Sequence, residues 1–256
     1  MKSTISVRRD IPSGTIIIDR PERANAISRF TIIELRQALD DLHQERQVSA
    51  VILTGRGNVF SAGTDLVELQ QSRADADGDL QWHQDAEQFR DLFLALLRFP
   101  KPVIAALNGP ACGSGAGLLL AADIVVAASS ACLSFPEVSL GLVTGVTAPL
   151  ARARLGAALA TRLMLTAETF TADQLVHHGI ASEVVADDLV WARCHELAAQ
   201  LAENRAEAML MTKRLMNESL GEGLVTEMTV GAALMAAART TESADEAVGQ
   251  WLEARS

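Results

Sequence analysis

The chain has 256 residues, of which 49% are hydrophobic and 21% charged, with a formal charge of −10 and a pI near 5.0. That is enough for one large domain, or a domain with a smaller appendage, around a real core, and the composition excludes a disordered chain. An acidic chain with no tyrosine and 4% aromatics lacks the basic, stacking-rich surface that a nucleic-acid partner needs, and its longest apolar run, 116–122, stops at Asp123, too short to cross a bilayer.

Taken in chain order, residues 4–7 and 15–19 read as strands of an opening hairpin, with a turn at Pro12-Ser13-Gly14. Ser28 is a helix N-cap before apolar residues at Ile32, Ile33, Leu35, Leu39 and Leu42, which recur at helical spacing. Residues 50–54 form a buried strand, followed by the glycine-bearing stretch 60–66 and a short helix from Asp65. The polar, acidic segment 71–81 reads as a mobile loop. A long helix follows, with Phe89, Leu92, Phe93, Leu96 and Leu97 on its inner face, then strands at 103–107, 124–127 and 131–135, divided by a second glycine stretch that opens a helix at 113–121. From about residue 190 only helices are expected, at 189–201, 206–219, 224–238 and 245–252. The N-terminus carries no secretory apolar stretch, so a cytoplasmic location is expected. Cys112, Cys132 and Cys194 show no metal-ligand spacing and are expected to be reduced, small buried hydrophobes, with no metal bound.

Few of the remaining polar residues read as chemical groups. His43, His83 and His195 fall on polar helix faces or loop edges, and His177-His178, before Gly179 at a helix end, suit a capping role. Arg205, Lys213 and Arg214 read as a solvated basic face. The exceptions are the two glycine stretches, Phe60-Ser61-Ala62-Gly63-Thr64-Asp65-Leu66 and Asn108-Gly109-Pro110-Ala111-Cys112-Gly113-Ser114-Gly115. Each lies where a strand runs into a helix. Singly, such glycines mark tight turns; together they suggest two main-chain N–H groups aimed at one spot, an oxyanion hole that stabilises negative charge developing on an acyl oxygen.

These stretches, with Arg20-Pro21-Glu22-Arg23-Ala24-Asn25-Ala26 before them and 102–109 leading into the second, resemble the crotonase (enoyl-CoA hydratase/isomerase) superfamily over nearly the whole chain. The resemblance implies an α/β fold: a crotonase-like ββα spiral core at 1–190 holding an acyl-CoA site, with a C-terminal α-helical part at 191–256 that builds homotrimers or homohexamers. An Ala-rich helix such as 231–238 is equally suited to packing inside one chain. The substrate implied is an acyl-CoA thioester, with coenzyme A part of the substrate rather than a separate cofactor, and no nucleic-acid or membrane partner. Thr64 and Ser114 match the two oxyanion donors through their backbone N–H groups, and Glu137, in Phe135-Pro136-Glu137, matches the catalytic acid/base. Outside that context a Pro-Glu pair is an ordinary loop or helix-start charge. Facing an apolar pocket, the Glu137 carboxyl is expected to have its pKa raised toward neutrality.

Arg23 is implied near the CoA phosphates, although it reads equally well as a surface arginine, with Ala24, Ala26 and Ala62 around the adenine and pantetheine. Asp65, Leu66 and Gly113 complete the CoA-contacting set. The lysine that often follows the first glycine motif is absent, Val67 and Glu68 standing in that region. The second glutamate of two-carboxylate hydratases is replaced by Gly117. One base suffices for 3-enoyl to 2-enoyl isomerisation, yet relatives with glycine there also hydrate, so hydration is the first expectation, with isomerisation or a non-catalytic acyl-CoA-binding scaffold as alternatives. Thr144 offers a hydroxyl able to hold water, with bonding to the backbone the expected state, and Gly145 removes the aspartate that the resemblance places near this position in dehalogenating members. Trp82, Phe89 and Phe93 are expected to line the acyl pocket.

Overall fold

The computed structural model describes residues 2–74, 77–218 and 221–254. β1 (Ile5–Asp10) and β2 (Ser13–Ile18) form the antiparallel hairpin expected from the sequence. After α1 (Arg29–Gln44), β3 (Ala50–Gly55) pairs in parallel with β2. Two helices, α2 (Leu66–Gln71) and α3 (Gly78–Arg98), lead to β4 (Val103–Leu107), parallel to β3. The chain continues through β5 (Ala111–Cys112), α4 (Ser114–Ala121), β6 (Ile124–Ala128) and β7 (Cys132–Ser134). It then passes α5 (Thr147–Leu155), α6 (Ala157–Thr166), β8 (Phe170–Thr171), α7 (Ala172–His177) and β9 (Glu183–Val185), and ends in α8 (Val190–Ala202), α9 (Ala206–Glu218), α10 (Gly221–Arg239) and α11 (Glu242–Glu253). The main sheet is ordered β1-β2-β3-β4-β6-β9, and a small sheet is ordered β5-β7-β8.

Every residue of β2, β3 and β4 is buried, as parallel strands covered on both faces must be. Alternation sorts their side chains. Ile16, Val51, Leu53 and Val103 meet Leu35 and Leu39 of α1 and Leu92 and Leu96 of α3, whereas Thr15, one position away, accepts a 3.0 Å bond from the Trp191 indole of α8. Helix α8 packs on β2, β3, β4 and β6, α10 packs on α3 and α5, and α11 packs on α2 and on the 3-10 turn Pro136–Leu140. The helices after residue 190 thus complete the core of their own chain.

Three expectations are corrected here. The segment 71–81 is largely helical: a 3-10 turn at Ser72–Ala74 precedes α3, which starts at Gly78, while residues 75–76 lie outside the described residues. Its polar character serves internal bonds, since the buried Ser72 hydroxyl accepts from the Trp82 indole at 3.1 Å and donates to the Leu69 carbonyl at 3.0 Å. Lys213 does not share the solvated face of Arg205 and Arg214. Its ammonium is buried, ion-paired with Asp123 at 2.7 Å, and donates to the Leu96 and Lys101 carbonyls. Of the three free thiols only Cys194 is fully buried, and burial pushes its pKa up to about 12; Cys112 and Cys132 are partly exposed. No helix among the described residues is long and apolar enough to cross a membrane.

Candidate active site

Two asparagines, Asn25 buried and Asn108 half-buried, bring the glycine stretches together. Asn25, in the left-handed region at φ 54°, donates to the Arg56 and Val59 carbonyls at 2.9 and 2.7 Å and accepts from the Arg20 amide at 3.0 Å. Asn108, at the end of β4, accepts from Thr54 and the Gly55 amide and donates to the Gly55 and Gly57 carbonyls. The end of β4 is thereby clamped to the end of β3. Cys112 then donates to the Ser61 carbonyl at 2.9 Å, and the Thr64 and Ser114 hydroxyls lie 2.9 Å apart. Gly63, at φ 88°, sits so close to the second stretch that a Cβ there would lie 2.6 Å from the Cys112 carbonyl oxygen and 3.1 Å from the Ser114 nitrogen. Only glycine fits both that conformation and that approach.

Residues 64 and 114 are therefore brought together as expected. Among the described residues neither main-chain N–H donates a hydrogen bond. At Thr64 the neighbouring Asp65 amide and Gly63 carbonyl are both used by Ile27; at Ser114 the N–H is one of the four that open any helix without an internal acceptor. Thr64 lines a small cavity of about 50 Å³ together with Ala62, Leu66, Gly113 and Glu137, and Ser114 directly follows the lining residue Gly113. A larger hollow of about 590 Å³ lies between α3, α9 and α10 and touches none of these groups.

Glu137 enters from the 3-10 turn Pro136–Leu140, where Pro136 fixes the turn start and Gly141 ends it. Its carboxyl reaches Gly113, where a Cβ would come within 2.5 Å of Oε1. Thr144 donates to Oε2 at 3.1 Å, so its hydroxyl faces the carboxylate rather than the backbone, correcting the expectation. The residue keeps some exposed surface, but its carboxyl is walled by protein. Desolvation raises its pKa to about 7, against the weaker lowering by its own backbone amide and Thr144. A carboxyl with its pKa raised toward neutrality thus abuts Gly113, the residue before Ser114.

Leu140, Leu142 and Val143 form one wall of the cavity, and Met235 and Arg239 of α10 another. Trp82, Phe89 and Phe93 do not line it. They are buried at 4%, 2% and 0% exposure, because the helical spacing that aligns them on one face of α3 turns that face into the core. Phe93 fills the space beside Gly117: a Cβ at residue 117 would lie 2.3 Å from its Cζ and 2.9 Å from the Thr147 hydroxyl. No carboxylate fits there without moving both. At Gly145 a Cβ would lie 2.0 Å from the Gly231 carbonyl oxygen.

The expected coenzyme contacts divide. Leu66, Ala62 and Gly113 line the cavity. Ala24 lies at the turn entrance, with its carbonyl bonded to the Ala62 amide, and Ala26 is buried with its carbonyl held by Arg20. Arg23 is exposed with no ion pair among the described residues. Asp65 has a structural task in the fold. It caps α2 through the Val67 and Glu68 amides and pairs with Arg20 at 2.8 Å, leaving it 6% exposed. Sequence reasoning passed over Arg20 and Asn25 as roles, and Met235 and Arg239 entirely; the motif run 20–26 held a signal for the first pair, but nothing local marked the second. The histidines stay apart from the cavity, His195 bonding Ser13 and stacking on Trp191. Among the described residues no group of His, Cys, Asp and Glu could hold a metal ion.

The family model for enoyl-CoA hydratase/isomerase matches residues 13–256. A 2,3-dehydroadipyl-CoA hydratase of Escherichia coli is 30% identical over 94% of this chain and 92% of its own length. A 4-chlorobenzoyl coenzyme A dehalogenase of Arthrobacter is 32% identical over 86% of this chain and 80% of its own. Among solved structures, an enoyl-CoA hydratase/isomerase from Mycobacterium paratuberculosis superposes with a TM-score of 0.89 at 29% identity, covering 98% of this chain and 99% of that one.

Proposed function

The chain belongs to the enoyl-CoA hydratase/isomerase family, and from that premise we propose that it adds water across the double bond of a 2-enoyl-CoA thioester with Glu137 as the sole acid/base. The observation that carries this reading is a buried carboxyl with a pKa near 7 beside two unpaired amides. Ionised Glu137 takes a proton from a water whose oxygen bonds to C3. The electron pair moves to the thioester oxygen, held by the Thr64 and Ser114 N–H groups, and the enolate then takes a proton at C2 from neutral Glu137. Thr144, already bonded to Oε2, retains lone pairs with which to hold the water. A pKa near neutrality suits a group that must give the proton back.

One observation favours a second reading. Phe93 and Thr147 occupy the space where a second carboxylate would stand at residue 117, and isomerisation needs only one base, taking a proton from C2 of a 3-enoyl thioester and returning it at C4. Mass analysis of products from 2-enoyl- and 3-enoyl-CoA substrates separates the two, since only hydration adds the mass of a water. Glu137→Gln should lower turnover of the working substrate about 10²–10⁴-fold. Full turnover by that variant would remove Glu137 from the reaction.

A further inference from the structure

Arg239 is a charged cavity-lining residue that the proposed reaction leaves unused. It is 3% exposed, and its Nε and Nη1 have no hydrogen-bond partner among the described residues. A guanidinium in such a place costs heavily unless paired and hydrogen-bonded. Its nearest counter-charge, Asp85, is already taken: Arg29 donates to both carboxylate oxygens at 2.7 and 2.9 Å, and Gln81 to one of them at 2.9 Å. Nη1 of Arg239 stands 3.9 Å from Asp85, beyond hydrogen-bond reach. Glu68 is spent on Arg29 and Asp245 on Arg73. Burial beside Arg29 depresses the Arg239 pKa to about 10, which leaves it charged at neutral pH. The last turn of α10 favours a cation through the helix dipole but supplies no bond to these two donors.

The same cavity is lined by Glu137 and by Thr64 and Gly113 of the two glycine turns, and the ion pair that Arg239 makes among the described residues is with Asp85 and not with Glu137. Leu66, Leu142 and Met235 give the same cavity an apolar lining. An acyl chain whose thioester lies on the two amides would pass these side chains to reach the guanidinium. We infer that the acyl group of the substrate carries a second carboxylate, bound by Arg239, so that this site takes short dicarboxylic enoyl thioesters in preference to those ending in methyl. A water molecule there would satisfy the donors alone; a carboxylate would also bring into hydrogen-bond contact the opposite charge that Asp85, shared with Arg29, supplies only at 3.9 Å.

This inference rests on the acyl-thioester reading of the cavity, and the test separates the two. Binding of glutaryl-CoA and pentanoyl-CoA, matched in carbon number and unreactive to hydration, is measured by calorimetry with wild type, Arg239→Gln and Arg239→Lys, alongside the kcat/KM ratio for glutaconyl-CoA over 2-pentenoyl-CoA. Wild type is expected to favour the carboxylated member of each pair about 10- to 100-fold. Arg239→Gln should abolish that preference, chiefly through KM, and Arg239→Lys should keep part of it. Equal binding of both thioesters by wild type overturns the inference while leaving the thioester site standing. A ratio unchanged in Arg239→Gln, with both substrates weakened alike, assigns the arginine to structure and also overturns it. Binding of neither thioester overturns the site and the inference together. Should Arg239→Gln fail to fold, the wild-type ratio and Arg239→Lys still decide the matter.

Discussion

The two sides of the cavity are made by different means. On the side of the proposed oxyanion hole the groups on offer are main-chain amides, positioned by glycines at 63 and 113 and clamped by Asn25 and Asn108. The rest of the site is made of side chains, Glu137, Thr144 and Arg239, assembled from a 3-10 turn, a loop and a helix beginning at residue 221. A main-chain site needs residue types that permit a conformation, and those leave a local mark. A side-chain site needs surroundings that strip water from a charge, and those come from anywhere in the chain.

The difference can be broken most forcefully where the two sides touch. Gly113→Ala places a methyl against the Glu137 carboxyl and asks alanine to adopt φ 54°. It should cost about 10²–10³-fold in kcat, comparable to losing an oxyanion donor, with only about 1–2 kcal/mol of stability lost in urea melts. A fold lost along with activity would show that the two sides are one mechanical unit.

The next effect tests whether the side-chain half is held against its own preference. The pKa of Glu137 in the folded chain, about 7, lies above the ordinary value of 4.5. Between those values the folded chain binds a proton that the unfolded chain has released. Stability therefore falls as pH rises through that window and stays lowered above it. Glu137→Gln should stabilise the protein at pH 8 by up to about 3 kcal/mol and change little at pH 4. Equal stabilisation at both pH values would mean that desolvation is not what perturbs this group.

The smallest effect sharpens the role of the loop. Because Thr144 bonds the carboxylate and so lowers its pKa, Thr144→Val should move the acidic limb of the kcat/KM profile to higher pH by about one pH unit. A stationary limb would leave Thr144 without electrostatic influence on Glu137.

Legibility in the sequence follows the same division. Strands with uniform burial, the Ser28 cap and both glycine turns can be read directly, because each depends on residues a few positions apart. Glu137 is readable only by its distance from the second turn. Lys213 and Asp123 show what local reading misses: a lysine between exposed neighbours on α9 looks solvated, and only the packing of α9 against the end of α3 turns it inward. Arg239 is lost to sight for the same reason. In the other direction, the helical spacing of Trp82, Phe89 and Phe93 correctly implies a buried face, but cannot tell a core from a cavity.

The contact between Gly145 and Gly231 has a consequence for how this scaffold can be repurposed. At position 145, where the resemblance made an aspartate the alternative, this chain has two backbones in direct contact, with no room for a Cβ on either side. The helix bearing Met235 and Arg239 is thus hinged to the Thr144 loop at a point that tolerates no side chain. A single substitution there would pry the two apart before it could install a nucleophile. A side chain at either position would therefore require a compensating shift at the other, in the loop before α5 or in α10.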